Sequence, residues 1–382
     1  MQNGLTNKAK FAISSLFFLN GFVFATFAGR IPSLKEQIHL SDISLGILLI
    51  YPTLGSILGL FVAGVLTSKF GSRKAATFSV FAYLFTLFLL GMFNNVIALS
   101  TILIFFGISG NCLNISMNTQ AVYFEKKNEV NTMSFFHAIF SIGGIAGALI
   151  CNIFIFLETP IKYHFICVPI FCTILIGVTL KSLLSTHDHI RNPSFSLSFR
   201  KSILILGIIS CCTLLIEGAV SDWSGVFLKN TIPDKPEYSN LGYTVYFSTM
   251  TLGRLTANRF GKYLKKKMFI VLVLLVGLLG LLIIVATSFL PFILFGFAIL
   301  GLGLSCIIPT IYSLAGRVEG MKPSTALSAV STIGFLGMFM GPPLIGFVSS
   351  ILNLRMSFLL VIFFSIILSI SLVPSIEWGT KK

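Results

Sequence analysis

The chain has 382 residues, of which 55% are hydrophobic and only 10% are charged. Soluble globular domains carry about 25% charged residues, so this composition excludes a water-soluble fold and indicates an integral membrane protein. The formal net charge of +15 would suggest nucleic acid binding in a soluble protein. Here the basic residues lie between apolar blocks, and we expect no nucleic acid partner.

Apolar blocks follow one another along the chain, each close to the roughly 20 residues that span a bilayer as a helix. They are predicted at 9–31, 43–68, 75–93, 96–120, 132–156, 161–181, 202–228, 241–261, 267–287, 290–315, 324–350 and 355–374. The sequence therefore predicts an all-α integral membrane fold with twelve transmembrane helices. No small-residue cleavage site follows the first block, which is predicted to be a retained helix.

One connection is longer and more polar than the others. It lies at 182–201, contains His187, Asp188 and His189, and divides the blocks into six and six. We predict an N-terminal six-helix half at 1–181, a cytoplasmic linker at 182–201 and a C-terminal half at 202–382. The His-Asp-His tract is a weak metal candidate because no cysteine lies near it, and neither a metal nor a cofactor is expected.

The basic residues between the blocks are distributed unevenly. Six lie in the connections that follow odd-numbered blocks and twenty lie on the opposite side. Lysine and arginine accumulate in cytoplasmic loops, so both termini are predicted to be cytoplasmic. The predicted location is a bacterial inner (plasma) membrane, crossed many times.

Short sequence matches recur between the halves at nearly constant offset, which indicates an internal duplication. They pair Lys69-Phe70-Gly71 with Arg259-Phe260-Gly261, Ser141-Ile142-Gly143 with Thr332-Ile333-Gly334, Asn20-Gly21 with Glu217-Gly218, and Gly110 and Cys112 with Leu304 and Cys306. Two parallel repeats with a solute site between them are a known plan of secondary transporters.

The segment from Gly64 to Lys74 resembles the loop motif of the major facilitator superfamily, in which glycine is followed by an acidic residue, a basic residue, glycine and further basic residues. The acidic position is Ser68 here and Asn258 in the second copy. The carboxylate that helps to lock the cytoplasmic gate in that family is therefore absent from both. The resemblance implies two pseudo-symmetric six-helix halves, with gating residues at Lys69, Arg73 and Arg259.

Further segments resemble the fucose-permease-like, YbjJ-type branch of the same superfamily. They are Asn20-Gly21, Ala28-Gly-Arg-Ile-Pro32, Asn118-Thr-Gln-Ala-Val122, Ser134-Phe-Phe-His-Ala138, Glu217-Gly-Ala-Val-Ser-Asp-Trp223, Thr251-Leu-Gly-Arg254 and Gly341-Pro-Pro343. This resemblance implies a secondary transporter, and sugar transport by the namesake is suggestive of a sugar-like substrate.

Ionisable side chains inside a bilayer are costly and are functional candidates by default. Glu217 lies midway along the seventh block and is predicted to bind substrate and to couple transport to protons; a structural ion pair with Arg254 is the alternative. Asp222 is a second coupling candidate. Its pairing with Arg30 would form part of an outer gate, and a solvated helix end beside Trp223 is the alternative.

Three asparagines of the fourth block, Asn111, Asn114 and Asn118, share one helical face. Amides offer donors and acceptors to a hydroxylated ligand, so these residues, with Asn20 and Tyr246, are predicted to bind substrate. Hydrogen bonding between helices, or core packing for the tyrosine, is the alternative. Arg254 is predicted to close a gate or neutralise a carboxylate.

The leading hypothesis is a secondary active transporter that moves a small polar solute, of which a sugar is one example, by alternating access and is coupled to protons. An efflux transporter of a drug or metabolite with the same fold is the first alternative. A non-transporting membrane sensor is the alternative from another class. The chain is not expected to be an enzyme. Its predicted partners are the small-molecule substrate, protons and the lipid bilayer, and it is predicted to be a monomer.

Overall fold

The computed structural model describes residues 2–129, 132–184, 200–260, 266–315, 318 and 323–376. The α-helices in these ranges are α1 (Gln2–Gln37), α2 (Asp42–Leu48), α3 (Ile50–Leu90), α4 (Val96–Asn128), α5 (Met133–Phe156), α6 (Ile161–Thr179), α7 (Lys201–Thr231), α8 (Leu241–Phe260), α9 (Lys266–Ala286), α10 (Leu290–Leu304), α11 (Ile307–Ala315), α12 (Pro323–Ile351) and α13 (Leu354–Leu372). Short 3-10 helices lie at Leu180–Ser182, Pro236–Tyr238 and Val373–Ser375. Most of the predicted linker, with His187, Asp188 and His189, lies outside the described residues.

Eleven stretches of the described helices are long and apolar enough to cross a membrane. They correspond to all the predicted spans except the eighth. That position is occupied by α8, a 20-residue helix that carries Tyr243, Tyr246 and Arg254 and is therefore more polar than its neighbours. The predicted all-helical membrane fold is confirmed.

Two predicted spans contain a helix break that the hydropathy pattern does not indicate. The second is interrupted at Leu49, between α2 and α3, and the tenth at Ser305 and Cys306, between α10 and α11. In each case a proline, Pro52 or Pro309, stands three or four residues further on. Proline has no N–H and leaves the carbonyl four residues earlier without its helical donor. The break one turn before each of these two prolines is consistent with this loss, whereas the helices continue through Pro32, Pro169, Pro342 and Pro343.

The loop motif also differs from the expected pair of separate helices. α3 runs from Ile50 to Leu90 through the motif, with a non-helical residue at Gly71, where φ is 79°. Glycine adopts positive φ without the steric cost that other residues incur. The chain can therefore turn at this one residue while the flanking segments stay helical.

Contacts between Cα atoms divide the chain into two compact units. The described residues up to Leu184, apart from Ser41–Ile47, form the first unit. Ser41–Ile47 and the described residues from Arg200 onward form the second. In the second unit Gly46 of α2 lies against the carbonyl of Pro342 in α12, and Ser349 of α12 donates a hydrogen bond to the carboxylate of Asp42.

In the first unit, α1 packs on α5 and α3 packs on α4. Glycines allow the close approach of α1 and α5, because a Cβ at Gly143 would collide with the carbonyl oxygen of Phe18 and one at Gly21 with that of Phe140. Small residues are the usual means by which membrane helices pack closely.

In the second unit, α7 packs on α12 and α10 packs on both α8 and α9. A Cβ at Gly337 of α12 would collide with the carbonyl oxygen of Cys211 in α7. The α7–α12 pair thus uses the same kind of glycine contact as the α1–α5 pair.

Equivalent contacts recur between α3–α4 and α8–α10 at an offset of 194 residues. The thiol of Cys112 lies 3.4 Å from the carbonyl oxygen of Gly59, and that of Cys306 lies 3.8 Å from the carbonyl oxygen of Gly253. A Cβ at Gly107 would meet the Pro52 carbonyl, and one at Gly301 would meet the Tyr246 carbonyl. The internal duplication that the sequence indicates is thus present in side-chain packing.

Candidate functional site

An ion pair lies near the middle of α7. Glu217 is the seventeenth of the 31 residues of this helix, and its Oε1 lies 3.3 Å from Nη2 of Arg254 in α8. The Glu217 side chain is 15% exposed and that of Arg254 is 42% exposed. The ion pair considered as the alternative for Glu217 is therefore present, and it leaves the second carboxylate oxygen without a hydrogen bond to any described residue.

Arg254 has a second partner. Its Nε donates a hydrogen bond of 3.3 Å to the backbone carbonyl of Ser305, at the break between α10 and α11. The guanidinium group therefore joins three elements: α8 supplies it, α7 provides a carboxylate, and the helix break provides a carbonyl. An arginine can do this because its donors point in fixed, different directions.

Two tyrosines of α8 lie near the acidic residues of α7. Tyr246 is fully buried, within electrostatic reach of Glu217 and Arg254, and its hydroxyl has no hydrogen bond to a described residue. Tyr243 lies within reach of Asp222, which itself interacts with Ser221. The α7–α8 pair thus brings Glu217, Arg254 and Tyr246, three of the predicted residues, into one polar cluster.

In the first unit, the predicted asparagines divide into two groups. Asn111 donates a hydrogen bond of 2.6 Å to the carbonyl of Ser56 in α3, which is the interhelical use considered as the alternative. Asn118 donates to the backbone carbonyl of Asn114 at 2.8 Å and to its Oδ1 at 3.2 Å. Nδ2 of Asn114 and Oδ1 of Asn118 make no hydrogen bond to a described residue.

Asn20 of α1 contacts the helix that carries this pair. It is 6% exposed, and its Nδ2 approaches the sulfur of Met117 in α4 at 3.7 Å, a weak hydrogen bond. Met117 lies between Asn114 and Asn118 in the sequence, so Asn20 packs on α4 at the level of these two residues. Asn114 and Asn118 are half-buried, which leaves their amides within reach of a solute.

Arg30, a predicted gating residue, has its hydrogen bonds inside the first unit. Its Nε donates to Nδ1 of His164 at 3.1 Å and its Nη2 donates to the carbonyl of Thr159 at 2.8 Å. Both Arg30 and His164 are buried, with 4% and 0% exposed. His164 was not among the predicted residues, because a lone histidine in an apolar block has no pattern that distinguishes it.

Residues of the loop motif form hydrogen bonds with the end of the first unit. Arg73 donates to the carbonyl of Lys181 at 3.1 Å. The buried amide of Gln120 in α4 donates to Oγ of Ser72 at 2.7 Å and to the carbonyl of Leu184 at 2.8 Å, and accepts from the Leu184 N–H at 2.8 Å. We call this set of bonds the Gln120 clasp.

The other predicted gating residues contribute less to these arrangements. The ammonium of Lys69 lies over the ring of Phe70, 5.5 Å from its centroid. The side chains of Ser68, Asn258 and Arg259 lie outside the described part of the structure. Among the described residues, no group of three or more histidine, cysteine, aspartate or glutamate side chains could hold a metal ion.

Comparison with known proteins identifies the family. The chain matches the family model described as Major Facilitator Superfamily over residues 13–232 and 227–378. It is 30% identical to an uncharacterized MFS-type transporter of Yersinia pestis over 342 residues, which is 90% of this chain and 89% of the relative. It is 27% identical to the membrane protein MosC of Rhizobium meliloti, covering 94% and 88% of the two chains.

Solved structures agree with this assignment at the level of the fold. A point mutant of the nucleoside transporter NupG superposes with a TM-score of 0.80 at 14% identity, over 98% of this chain and all of the other. A bacterial homolog of the human lysosomal transporter Spinster, in an inward-facing and occupied conformation, gives 0.77 at 13% identity over 96% and 97%. The chain belongs to the Major Facilitator Superfamily and is a multi-pass membrane transporter of that type.

Proposed function

We propose that this transporter moves a small polar solute by alternating access and that a proton bound at Glu217 drives the cycle. The observation that carries the proposal is the ion pair of Glu217 with Arg254 midway along α7. A charged carboxylate midway along a membrane-spanning helix is energetically costly unless it is paired with a cation or has a functional role. Glu217 is paired on one oxygen only, so its other oxygen is available to a proton or a solute hydroxyl.

Proton binding at Glu217 would change the contacts of α7. A neutral carboxyl no longer attracts the guanidinium of Arg254, so α7 loses its electrostatic attachment to α8. Return of the carboxylate to its charged form restores that attachment. A ligand that alters an interaction between two elements shifts the population of conformations that depend on it, and this is the form of coupling that we propose.

The polar solute is inferred from the amides of the first unit. Nδ2 of Asn114 is a free donor and Oδ1 of Asn118 a free acceptor among the described residues, on side chains that are half-buried. A hydroxyl group can both accept from one and donate to the other. With Asn20 and Tyr246 they form the proposed substrate residues, and a sugar-like solute meets this requirement. Asn111, the remaining residue predicted to bind substrate, is assigned instead to holding α4 against α3, because its amide donates to the Ser56 carbonyl.

The branch, the membrane location, the topology and the remaining residue roles that we propose rest on the sequence alone. We place the chain in the fucose-permease-like, YbjJ-type branch and in the bacterial inner membrane as a monomer with both termini cytoplasmic. The two six-helix halves at 1–181 and 202–382 are joined by the linker at 182–201. Asp222 remains a second proton candidate, and Arg30, Lys69, Arg73, Arg254 and Arg259 remain the proposed gating residues.

The test is thermal stabilisation of the purified protein by D-galactose, D-glucuronate, uridine and tetraphenylphosphonium, at an acidic and a neutral pH. A proton-coupled carrier of polar solutes is stabilised by one of the first three, to an extent that depends on pH. The pH dependence is lost in Glu217→Gln. Stabilisation by tetraphenylphosphonium alone would overturn the polar-solute proposal in favour of efflux of lipophilic cations.

A further inference from the structure

The backbone carbonyl of Ser305 is free to accept a hydrogen bond from another helix because residue 309 is a proline. In a regular helix this carbonyl would accept a hydrogen bond from the N–H of residue 309. Proline has no N–H, and its ring pushes against the carbonyl four residues earlier. The break between α10 and α11 therefore places an unused acceptor inside the second unit, and Arg254 Nε takes it at 3.3 Å.

Gly253 allows α8 to approach this carbonyl. A Cβ at Gly253 would collide with Oγ of Ser305, and the Gly253 carbonyl itself lies 3.8 Å from the sulfur of Cys306. The residue that follows, Arg254, is therefore held beside the break. Gly253 and Arg254 of α8 thus contact Ser305 at the break, and Pro309 of α11 leaves the Ser305 carbonyl free to accept the bond from Arg254.

We propose that Pro309 is a positioning residue that holds Arg254 as the fixed counter-ion of Glu217. The Ser305 carbonyl binds Nε, which orients the guanidinium so that Nη2 faces the carboxylate. When Glu217 is protonated, Arg254 keeps this second attachment and stays with α8 and the α10–α11 break. Proton binding then releases α7 alone. This inference rests on the proposed role of Glu217 and explains how its partner is kept in place.

Few other charged or titratable groups in the described part of the second unit lie near Glu217. The helices α8, α11, α12 and α13 pack against α7, as does the 3-10 helix Pro236–Tyr238. This last element carries Glu237 and Tyr238 and follows the C-terminal end of α7. From α8, Arg254 and Tyr246 lie within electrostatic reach of the carboxylate. α12 contains no titratable residue, α11 contributes only Tyr312, and α13 contributes only Arg355, near its first residue. Asp222 lies on α7 itself, more than one turn away.

The experiment is Pro309→Ala in the full chain, with the proton as the ligand. The infrared carbonyl band of the protonated Glu217 carboxyl is isolated as the difference between the protein and its Glu217→Gln variant, and is followed against pH. The variant restores a backbone N–H that turns the Ser305 carbonyl back along the helix and loosens Arg254. We expect the pH midpoint of the band to rise by about one unit, because loss of a cation favours the neutral carboxyl.

Three further variants make the result specific. Arg254→Gln should shift the midpoint in the same sense, and adding Pro309→Ala to it should cause no further shift, because both changes act through one guanidinium. Pro291→Ala is the matched control. Pro291 lies in the first turn of α10, where backbone N–H groups have no helical partner, and its replacement should leave the midpoint unchanged.

The outcomes separate this inference from the proposed function. If Glu217→Gln removes no titrating band, the coupling role of Glu217 is wrong. If the band shifts in Arg254→Gln but not in Pro309→Ala, the positioning role of Pro309 alone is wrong. Should Pro309→Ala fail to fold, Pro309→Gly provides the second variant. It also restores the backbone N–H, so a raised midpoint supports the inference whereas a wild-type midpoint overturns it.

Discussion

Arg30 donates a hydrogen bond through Nε to Nδ1 of His164 over 3.1 Å, and both side chains are buried in the first unit. The acceptor must be an unprotonated nitrogen, so the bond fixes the histidine as the neutral tautomer with its proton on Nε2. The imidazole also stacks on Phe154, with ring centroids 4.3 Å apart. The histidine is thus held by an aromatic ring on its face and by a guanidinium at its edge.

Replacement of His164 tests whether this bond stabilises the first unit. His164→Phe keeps the stacking and removes the acceptor, which leaves a buried donor of Arg30 unsatisfied at a cost of about 1–3 kcal/mol. His164→Asn provides an amide oxygen in place of Nδ1 and should recover part of that loss. The measurement is the apparent Tm in detergent, and a phenylalanine variant as stable as the asparagine variant would contradict the prediction.

The glycine contact between α1 and α5 predicts that a glycine-to-alanine substitution lowers stability at this contact and not at an uncrowded glycine elsewhere. Gly143→Ala places a methyl group against the Phe18 carbonyl and should destabilise the protein by about 1–3 kcal/mol. Gly177→Ala in α6 is the control, because nothing lies within 4 Å of the added carbon. We expect the control to keep its apparent Tm. Equal losses in the two variants would show that the close approach of α1 and α5 does not matter.

The Glu217–Arg254 pair predicts a non-additive result. Arg254→Gln leaves the carboxylate without its cation, whereas the double variant with Glu217→Gln replaces the pair with two neutral amides. The double variant should therefore have a higher apparent Tm at neutral pH than Arg254→Gln alone. Simple addition of the two single losses would mean that the two charges do not interact.

Alanine substitutions of Asn111 and Asn114 in α4 should have different effects on stability and on solute binding. Asn111→Ala removes the hydrogen bond to Ser56 and should lower the apparent Tm without solute. Asn114→Ala removes the 3.2 Å bond from Asn118, so it should lower that temperature less than Asn111→Ala does, and it should reduce the stabilisation produced by the polar solute that binds. Each variant is the control for the other. The assignment of Asn114 to the solute would be wrong if its variant binds the same compound normally.

The Gln120 clasp predicts protection of the backbone at Leu184. Gln120→Leu removes three hydrogen bonds and should speed deuterium exchange at the Leu184 N–H, measured by mass spectrometry. Ser72→Ala removes only the first of these bonds and should have a smaller effect. Equal exchange rates in Gln120→Leu and the unmodified protein would exclude the clasp as an anchor.

Hydropathy predicts the membrane-spanning helices well because spanning a bilayer imposes a length and a composition on each one. The two breaks were missed because Pro52 and Pro309 act on a carbonyl one turn earlier, and the apolar pattern continues across both. The proximity of Glu217 and Arg254 could be suggested from sequence, since intramembrane charges seek partners.

Partners drawn from distant elements could not be predicted in the same way. The bonds of Arg30 to His164 and of Gln120 to Leu184 join residues 134 and 64 positions apart, and neither leaves a periodic trace in the sequence. The three asparagines of α4 show that a recognisable sequence pattern can also be insufficient. Their helical spacing correctly places three amides on one face, but only the structure separates Asn111, which bonds to α3, from Asn114 and Asn118.

The contacts repeated at an offset of 194 residues reveal how the two copies have diverged. Gly59 and Gly253 occupy equivalent places, as do Asn111 and Ser305. At the same offset, however, Leu60 corresponds to Arg254 and Ile115 to Pro309. The two copies share their helix packing but differ at these positions. The first copy carries two apolar side chains where the second carries the arginine and the proline of the proposed proton site, so the duplication alone does not supply that site.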